Sequence, residues 1–187
     1  AAQGGSVQPV DCVLLESADI TTKASRTTVA VLEASARLTC WGGTVTAEAL
    51  DAVDGGGPGA DGLAALARLE AGLAEHVTDR RPGRLTLTLP TICDDDPTVE
   101  ERERLTALST IEPLRLLARA EVDHPHLPLE AGAFAFDYLS TFESLPEVAQ
   151  GANTCPDYLF YDARIILVID HPTREATLVG ASVDAED

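Results

Sequence analysis

The sequence predicts an α+β fold: antiparallel β-sheets with helices packed on the outside. Three observations lead there. Arg84-Leu-Thr-Leu-Thr-Leu89 alternates apolar and polar residues without a break, the pattern of a strand with one buried face. Gly42-Gly43 and His171-Pro-Thr-Arg174 each separate two apolar runs, where hairpin turns belong. Leu63, Leu66, Leu73 and Val77 recur near helical spacing, so a helix lies among the hairpins. Strands of this kind combined with amphipathic helices bury their apolar faces against one another.

Each element follows in chain order. Residues 1–9 are small and polar and read as a lead-in. Val13–Leu15 reads as a short buried strand, and Val29–Leu32 and Ala36–Trp41 as two more. Gly42-Gly43 turns the chain into Thr44–Ala47, because paired glycines accept the positive φ of a tight hairpin. Asp54-Gly-Gly-Gly-Pro-Gly59 is a loop, followed by the amphipathic helix over 61–77. Arg80-Arg81-Pro-Gly-Arg84 reads as a loop before the alternating strand. Asp94-Asp-Asp-Pro leads through Glu100–Arg104 into a helix that Ser109 or Thr110 caps, with Pro113 in its first turn and Leu114, Leu117 and Val122 toward the core. Asp123–Pro128 ends it. Ala133–Phe142 begins as a strand and finishes as a helix. Tyr158–Asp170 and Ala176–Val183 form the last hairpin. No internal repeat is apparent.

Composition narrows the function classes. With 187 residues the chain is one domain or two small ones, and 45% apolar residues are enough for a packed core. No apolar run approaches the roughly 18 residues of a membrane span. The net charge of −18 repels nucleic acid and anionic lipid, so neither is an expected partner. The four cysteines, at 12, 40, 93 and 155, contain no C-x-x-C pair. Cys12 and Cys40 lie in or beside apolar segments, and the expectation is free buried thiols in a reducing cytosol. No signal peptide or lipidation motif is visible.

Several stretches invite a functional reading and lack the pattern it needs. His124 and His126 beside Asp123 have no third ligand at a metal-site spacing and read as a solvated loop. Asp94-Asp95-Asp96 lacks the glycine and glutamate of a calcium loop and reads as an acidic helix lead-in. Gly55–Gly59 precedes a helix without the G-x-x-x-x-G-K-[ST] phosphate cradle, between Asp54 and Asp61. No Ser-His-Asp or Cys-His set can be assembled. Glu16-Ser17-Ala18-Asp19, where the first strand surfaces, either caps a turn or holds a ligand.

An ordered set of stretches resembles one family. It comprises Leu14-Leu-Glu-Ser-Ala-Asp-Ile20, Glu101-Arg-Glu-Arg-Leu-Thr-Ala107, Ser109-Thr-Ile-Glu112, Gly132–Pro146, Cys155-Pro-Asp-Tyr158 and Val168-Ile-Asp-His171. Together they are similar to the amino-terminal region of anthranilate synthase component I, with residues 50–95 agreeing least. The resemblance implies a Mg²⁺-dependent lyase making anthranilate from chorismate in tryptophan biosynthesis, with ammonia from a glutamine amidotransferase partner, in the cytoplasm. It implies that residues 1–187 are a regulatory and structural region. The chorismate and Mg²⁺ sites would lie in a carboxy-terminal portion absent here, so no catalytic residue is expected and this chain alone would be inactive. The lack of Met is in keeping with such a fragment. By resemblance, Ser17, with Glu16 beside it, contributes to the L-tryptophan feedback site. The family's lysine ten residues after that serine is replaced by Thr27, with Arg26 adjacent and Lys23 upstream, so no cationic role is carried over. Two alternatives stay open: the para-aminobenzoate-forming relative, and a stand-alone amino-acid-binding module.

Overall fold

The computed structural model describes residues 11–16, 26–51, 57–91, 100–119, 124–143 and 155–180, apart from the side chains of residues 101, 104 and 105. Their strands are β1 (Val13–Glu16), β2 (Thr27–Trp41), β3 (Thr44–Ala49), β4 (Val77–Arg81), β5 (Arg84–Thr88), β6 (Glu130–Phe134), β7 (Tyr158–Asp170) and β8 (Glu175–Gly180). The helices are α1 (Ala60–Gly72), α2 (Glu101–Thr106) and α3 (Glu112–Ala118), with 3-10 turns at Ala74–His76 and Phe136–Thr141. The expected α+β class holds, and all eight strands join in one antiparallel sheet rather than several.

The sheet is ordered β4-β5-β3-β2-β7-β6, with β1 added to β2 and β8 to β7. The long strands β2 and β7 form its spine. The carboxy-terminal half of β2 lies between β3 and β7, and its amino-terminal half between β1 and β7. The two halves meet at register shifts over Val31–Ala36. An unpaired residue bends a strand and increases its twist, so one continuous strand can serve two environments. This corrects the sequence reading of Val29–Leu32 and Ala36–Trp41 as separate strands.

Register places Leu38, Ala47 and Leu85 in one row and Cys40, Val45 and Leu87 in the next, all buried. Directly opposed residues share a face, so these rows form one apolar surface. Leu66 and Leu69 of α1 and Leu114 and Leu117 of α3 pack on it. Leu63 is the exception on α1, 46% exposed. A second cluster joins Val31, Ile166, Val168 and Val179 to Leu127 and Ala131.

Other boundaries moved for physical reasons. The helix expected over 61–77 stops at Gly72, where an added Cβ would lie 2.7 Å from Leu116 Cδ1. Val77–Arg81 then forms a strand, not a loop, and turns into β5 at Pro82-Gly83, where Gly83 takes φ 69°. Neither Ser109 nor Thr110 caps α3 through its side chain. Ile111 occupies that position, while Pro113 sits in the first turn as expected. β1 is an edge strand rather than a buried one: Leu14 is 64% exposed and Leu15 41%. Cys12 just before it is likewise exposed, against expectation, while Cys40 is buried. Burial pushes the Cys40 thiol up to about 12, with the nearby Asp157 charge adding to the effect. The last strand is described as far as Gly180; residues 181–183 lie outside the described residues.

Candidate functional site

The Glu16 end of β1 sits at one rim of the four-strand unit β1-β2-β7-β8. Glu16 stands opposite Thr28 of β2, Thr28 opposite Ile169 of β7, and Ile169 opposite Ala176 of β8. Glu16 is exposed, and among the described residues no Lys, Arg or His pairs with it. Ser17 lies outside the described residues, as do Lys23, Asp123, Asp94–Asp96, Cys93, Val122 and Gly55-Gly56.

What fixes this rim is the turn between β7 and β8. Thr28, buried in the sheet, places its Oγ1 2.7 Å from His171 Nε2. The His171 backbone N–H donates to the Arg26 carbonyl at 2.8 Å. Thr173 N–H donates to Asp170 Oδ1 at 3.0 Å, and Arg174 closes the turn with φ 60°. Two residue pairs further along, Leu14, Ala30, Leu167 and Leu178 form a row on the same face as Glu16. Leu14 and Leu178 are exposed, and Leu32 nearby is 48% exposed, so this face presents apolar surface beside a carboxylate.

The other sequence candidates are arranged differently. His124 Nδ1 accepts from the His126 backbone N–H at 3.2 Å, a local turn contact. Among the described residues no group of three or more His, Cys, Asp or Glu is placed to hold a metal. Arg80 pairs with Glu70 at 2.6 Å, Arg81 with Asp79 at 2.8 Å and Arg84 with Glu48 at 3.6 Å, so the basic cluster is neutralised by its own neighbours. A cleft of about 600 Å³ opens beside it. Its Arg37 is held by Asp11 at 3.1 Å and Glu48 at 2.8 Å. No described helix is long and apolar enough to cross a membrane.

Sequence reasoning missed a buried carboxyl pair where α1 crosses the sheet. Glu130 of β6 stands opposite Asp162 of β7. Ser35 Oγ of β2 donates to Asp162 Oδ2 at 2.5 Å, and Arg68 of α1 approaches the same oxygen at 3.9 Å. Both carboxyl oxygens of Glu130 are sealed from solvent with no donor to pair with. Burial pushes the Glu130 carboxyl up to about 9, the Asp162 charge and a hydrogen bond between the two add to the rise, and Arg68 opposes it. A neutral Glu130 that donates its proton to Asp162 reconciles these facts. No local signal marks the pair, because its members come from separate strands.

A carboxyl raised in the folded state contributes fully below its unfolded value, 4.5, and that contribution is lost as pH climbs toward about 9. Glu130→Gln, neutral at every pH, should therefore flatten the decline. The variant should gain on the parent between pH 5.5 and pH 8.5 by about 1 kcal/mol or more in urea unfolding. Equal pH slopes for the two proteins would disprove a protonated Glu130.

Comparison with known proteins gives a consistent result. No family model matches the chain. It is 37% identical over 181 residues to anthranilate synthase component 1 of Vibrio cholerae serotype O1, covering 95% of this chain and 32% of that protein. It is 34% identical over 180 residues to anthranilate synthase component 1 of Salmonella typhimurium, covering 94% and 32%. With the pyocyanine-specific anthranilate synthase component 1 of Pseudomonas aeruginosa it shares 35% identity over 167 residues, covering 89% and 29%. The chain thus spans about a third of the length of the curated relatives it matches.

Proposed function

Since the chain is homologous to anthranilate synthase component 1 and corresponds to its amino-terminal region, we propose that it is the regulatory part of such an enzyme and contributes to an L-tryptophan feedback site. The complete protein would convert chorismate to anthranilate in tryptophan biosynthesis, taking ammonia from a glutamine amidotransferase subunit. Chorismate and Mg²⁺ would be held in the portion outside this chain. The described residues offer no cluster of metal ligands for Mg²⁺.

The observation that carries the reading is the placement of Glu16. Its exposed carboxylate ends β1 beside an open apolar row, Leu14, Ala30, Leu167 and Leu178. A zwitterionic aromatic amino acid needs both features: a carboxylate for its ammonium and apolar surface for its ring. Ser17, the next residue, would supply a hydroxyl and backbone groups. The same open face would meet the rest of the longer protein, since contiguous exposed apolar surface marks a contact site. Tryptophan bound at that junction changes activity elsewhere only through its different affinity for two arrangements of the parts.

Ser17→Phe in the full-length protein fills the site with a ring. The concentration of tryptophan that halves anthranilate formation should rise at least about tenfold. A variant as sensitive as the parent would remove Ser17 from the site.

A further inference from the structure

We infer that His171 is a positioning residue for the feedback site, holding Glu16 of β1 in its binding geometry through Thr28. This rests on the reading of Ser17 and Glu16 given above. His171 lies far from both in sequence and belongs to a turn that the site itself does not require. The structure nevertheless ties it to the rim twice. Its Nε2 is 2.7 Å from Thr28 Oγ1, and its backbone N–H donates to Arg26 O at 2.8 Å. Thr28 is directly opposite Glu16 in the β1–β2 ladder.

The geometry makes this bond consequential. Thr28 is only 5% exposed while His171 is exposed, so the imidazole lies on the solvent side of this bond and is the side chain through which the turn holds the start of β2. β1 is four residues long and, among the described residues, its strand partner is β2 alone. Among the described residues, the Glu16 end of β1 is carried by the part of β2 it lies on. That part, Thr27-Thr28, is pinned on its other side by β7 and by the His171 turn. Loosening the Thr28–His171 bond frees the start of β2, and with it the carboxylate that is to meet the ligand. A contact displaced by a fraction of an ångström weakens a ligand held by few polar groups. His171 acts through Thr28 and does not itself touch the ligand.

The test uses the full-length enzyme with L-tryptophan as inhibitor and the KM for chorismate as internal reference. His171→Ala should raise the tryptophan inhibition constant about tenfold while moving KM much less. Thr28→Val, which deletes the bond from the other side, should do the same, and the double variant should be no worse than either alone. His171→Gln and Thr28→Ser, which keep a bonding partner in place, should restore most of the inhibition. A merely structural histidine would shift both constants together and would not be rescued in this way. Should either deletion variant fail to fold, the other and the two conservative variants decide. If Ser17→Phe escapes inhibition while the His171 and Thr28 variants remain as sensitive as the parent, this inference falls and the site stands. If Ser17→Phe remains sensitive, the site itself falls.

Discussion

Gly132→Ala is expected to destabilise the chain by about 3 kcal/mol, although it adds a single methyl group. Gly132 lies in β6 opposite Phe160 of β7. A Cβ built there would stand 2.1 Å from Leu159 O, 2.6 Å from Phe160 Cα and 2.8 Å from Phe160 Cγ. Two of those atoms are backbone, so no rotamer change relieves the clash. Either β6 lifts off β7 or the spine strand bends, and both break ladder hydrogen bonds. Gly180→Ala is the control. Its Cβ would meet Ile165 Cγ1 at 3.8 Å and Arg164 O at 3.9 Å, ordinary contact distances. Urea midpoints should separate the two variants widely. Equal midpoints would mean that β6 has room to move away from β7.

The second large effect is expected at Tyr158. Its ring is fully buried, and its hydroxyl donates to the Thr110 carbonyl at 2.7 Å. Thr110 Oγ1 in turn lies 2.9 Å from the Tyr138 hydroxyl. The rings of Phe134, Tyr138 and Phe160 surround Tyr158 edge-on, with centroids 5.7, 5.7 and 5.9 Å away. Tyr158 therefore joins β7 to the segment that starts α3 and to the 3-10 turn at 136–141. Burial raises its phenol well above the usual range, so the proton stays on and the donor is permanent. Tyr158→Ala should cost about 3–5 kcal/mol, through lost aromatic contact and a cavity. Tyr158→Phe keeps the ring and strands one carbonyl, for about 1–3 kcal/mol. Denaturant unfolding followed by near-UV circular dichroism measures both. A Phe variant as stable as the parent would mean that water reaches the Thr110 carbonyl.

Where local chemistry decides structure, the sequence was readable. The alternation of Arg84–Leu89 placed Leu85 and Leu87 inward, and Gly42, with φ 55°, closes the hairpin expected at that site. The apolar run ending at Asp170 is β7, and Pro113 opens α3. Where distant pairing decides, it was not. Val77–Arg81 has no apolar alternation, and β5 alone makes it a strand by pairing with its backbone. Glu33-Ala-Ser looked like a break between strands because the bulge shifts which residues face inward. Thr110 looked like a cap, yet the two tyrosine hydroxyls that draw it inward are far along the chain.

The candidate site divides in the same manner. Glu16 could be placed at a strand end from the apolar run before it. That β1 would be an open edge could not, because exposure depends on what lies beside a strand. His171 and Thr28 were unremarkable letters until the sheet brought them within hydrogen-bond reach. Glu130 and Asp162 carried no sign of one another.

The long β2–β7 pairing has a further consequence, for how the molecule is made. Thr27–Cys40 pairs with Tyr158–Asp170, so the spine joins a segment near the start of the chain to one near its end. Such closures are slow, because a long intervening loop loses its freedom before the pairing repays it. On the ribosome, β1 to β5 emerge first and can pair among themselves, but the edge of β2 that β7 takes stays open until β7 arrives. Over that interval the inward side of β2 has no partner on its long edge. Productive assembly of this sheet is therefore timed by the appearance of residues 158–170, and a chain stalled short of them exposes the strand edge most prone to pairing with another copy.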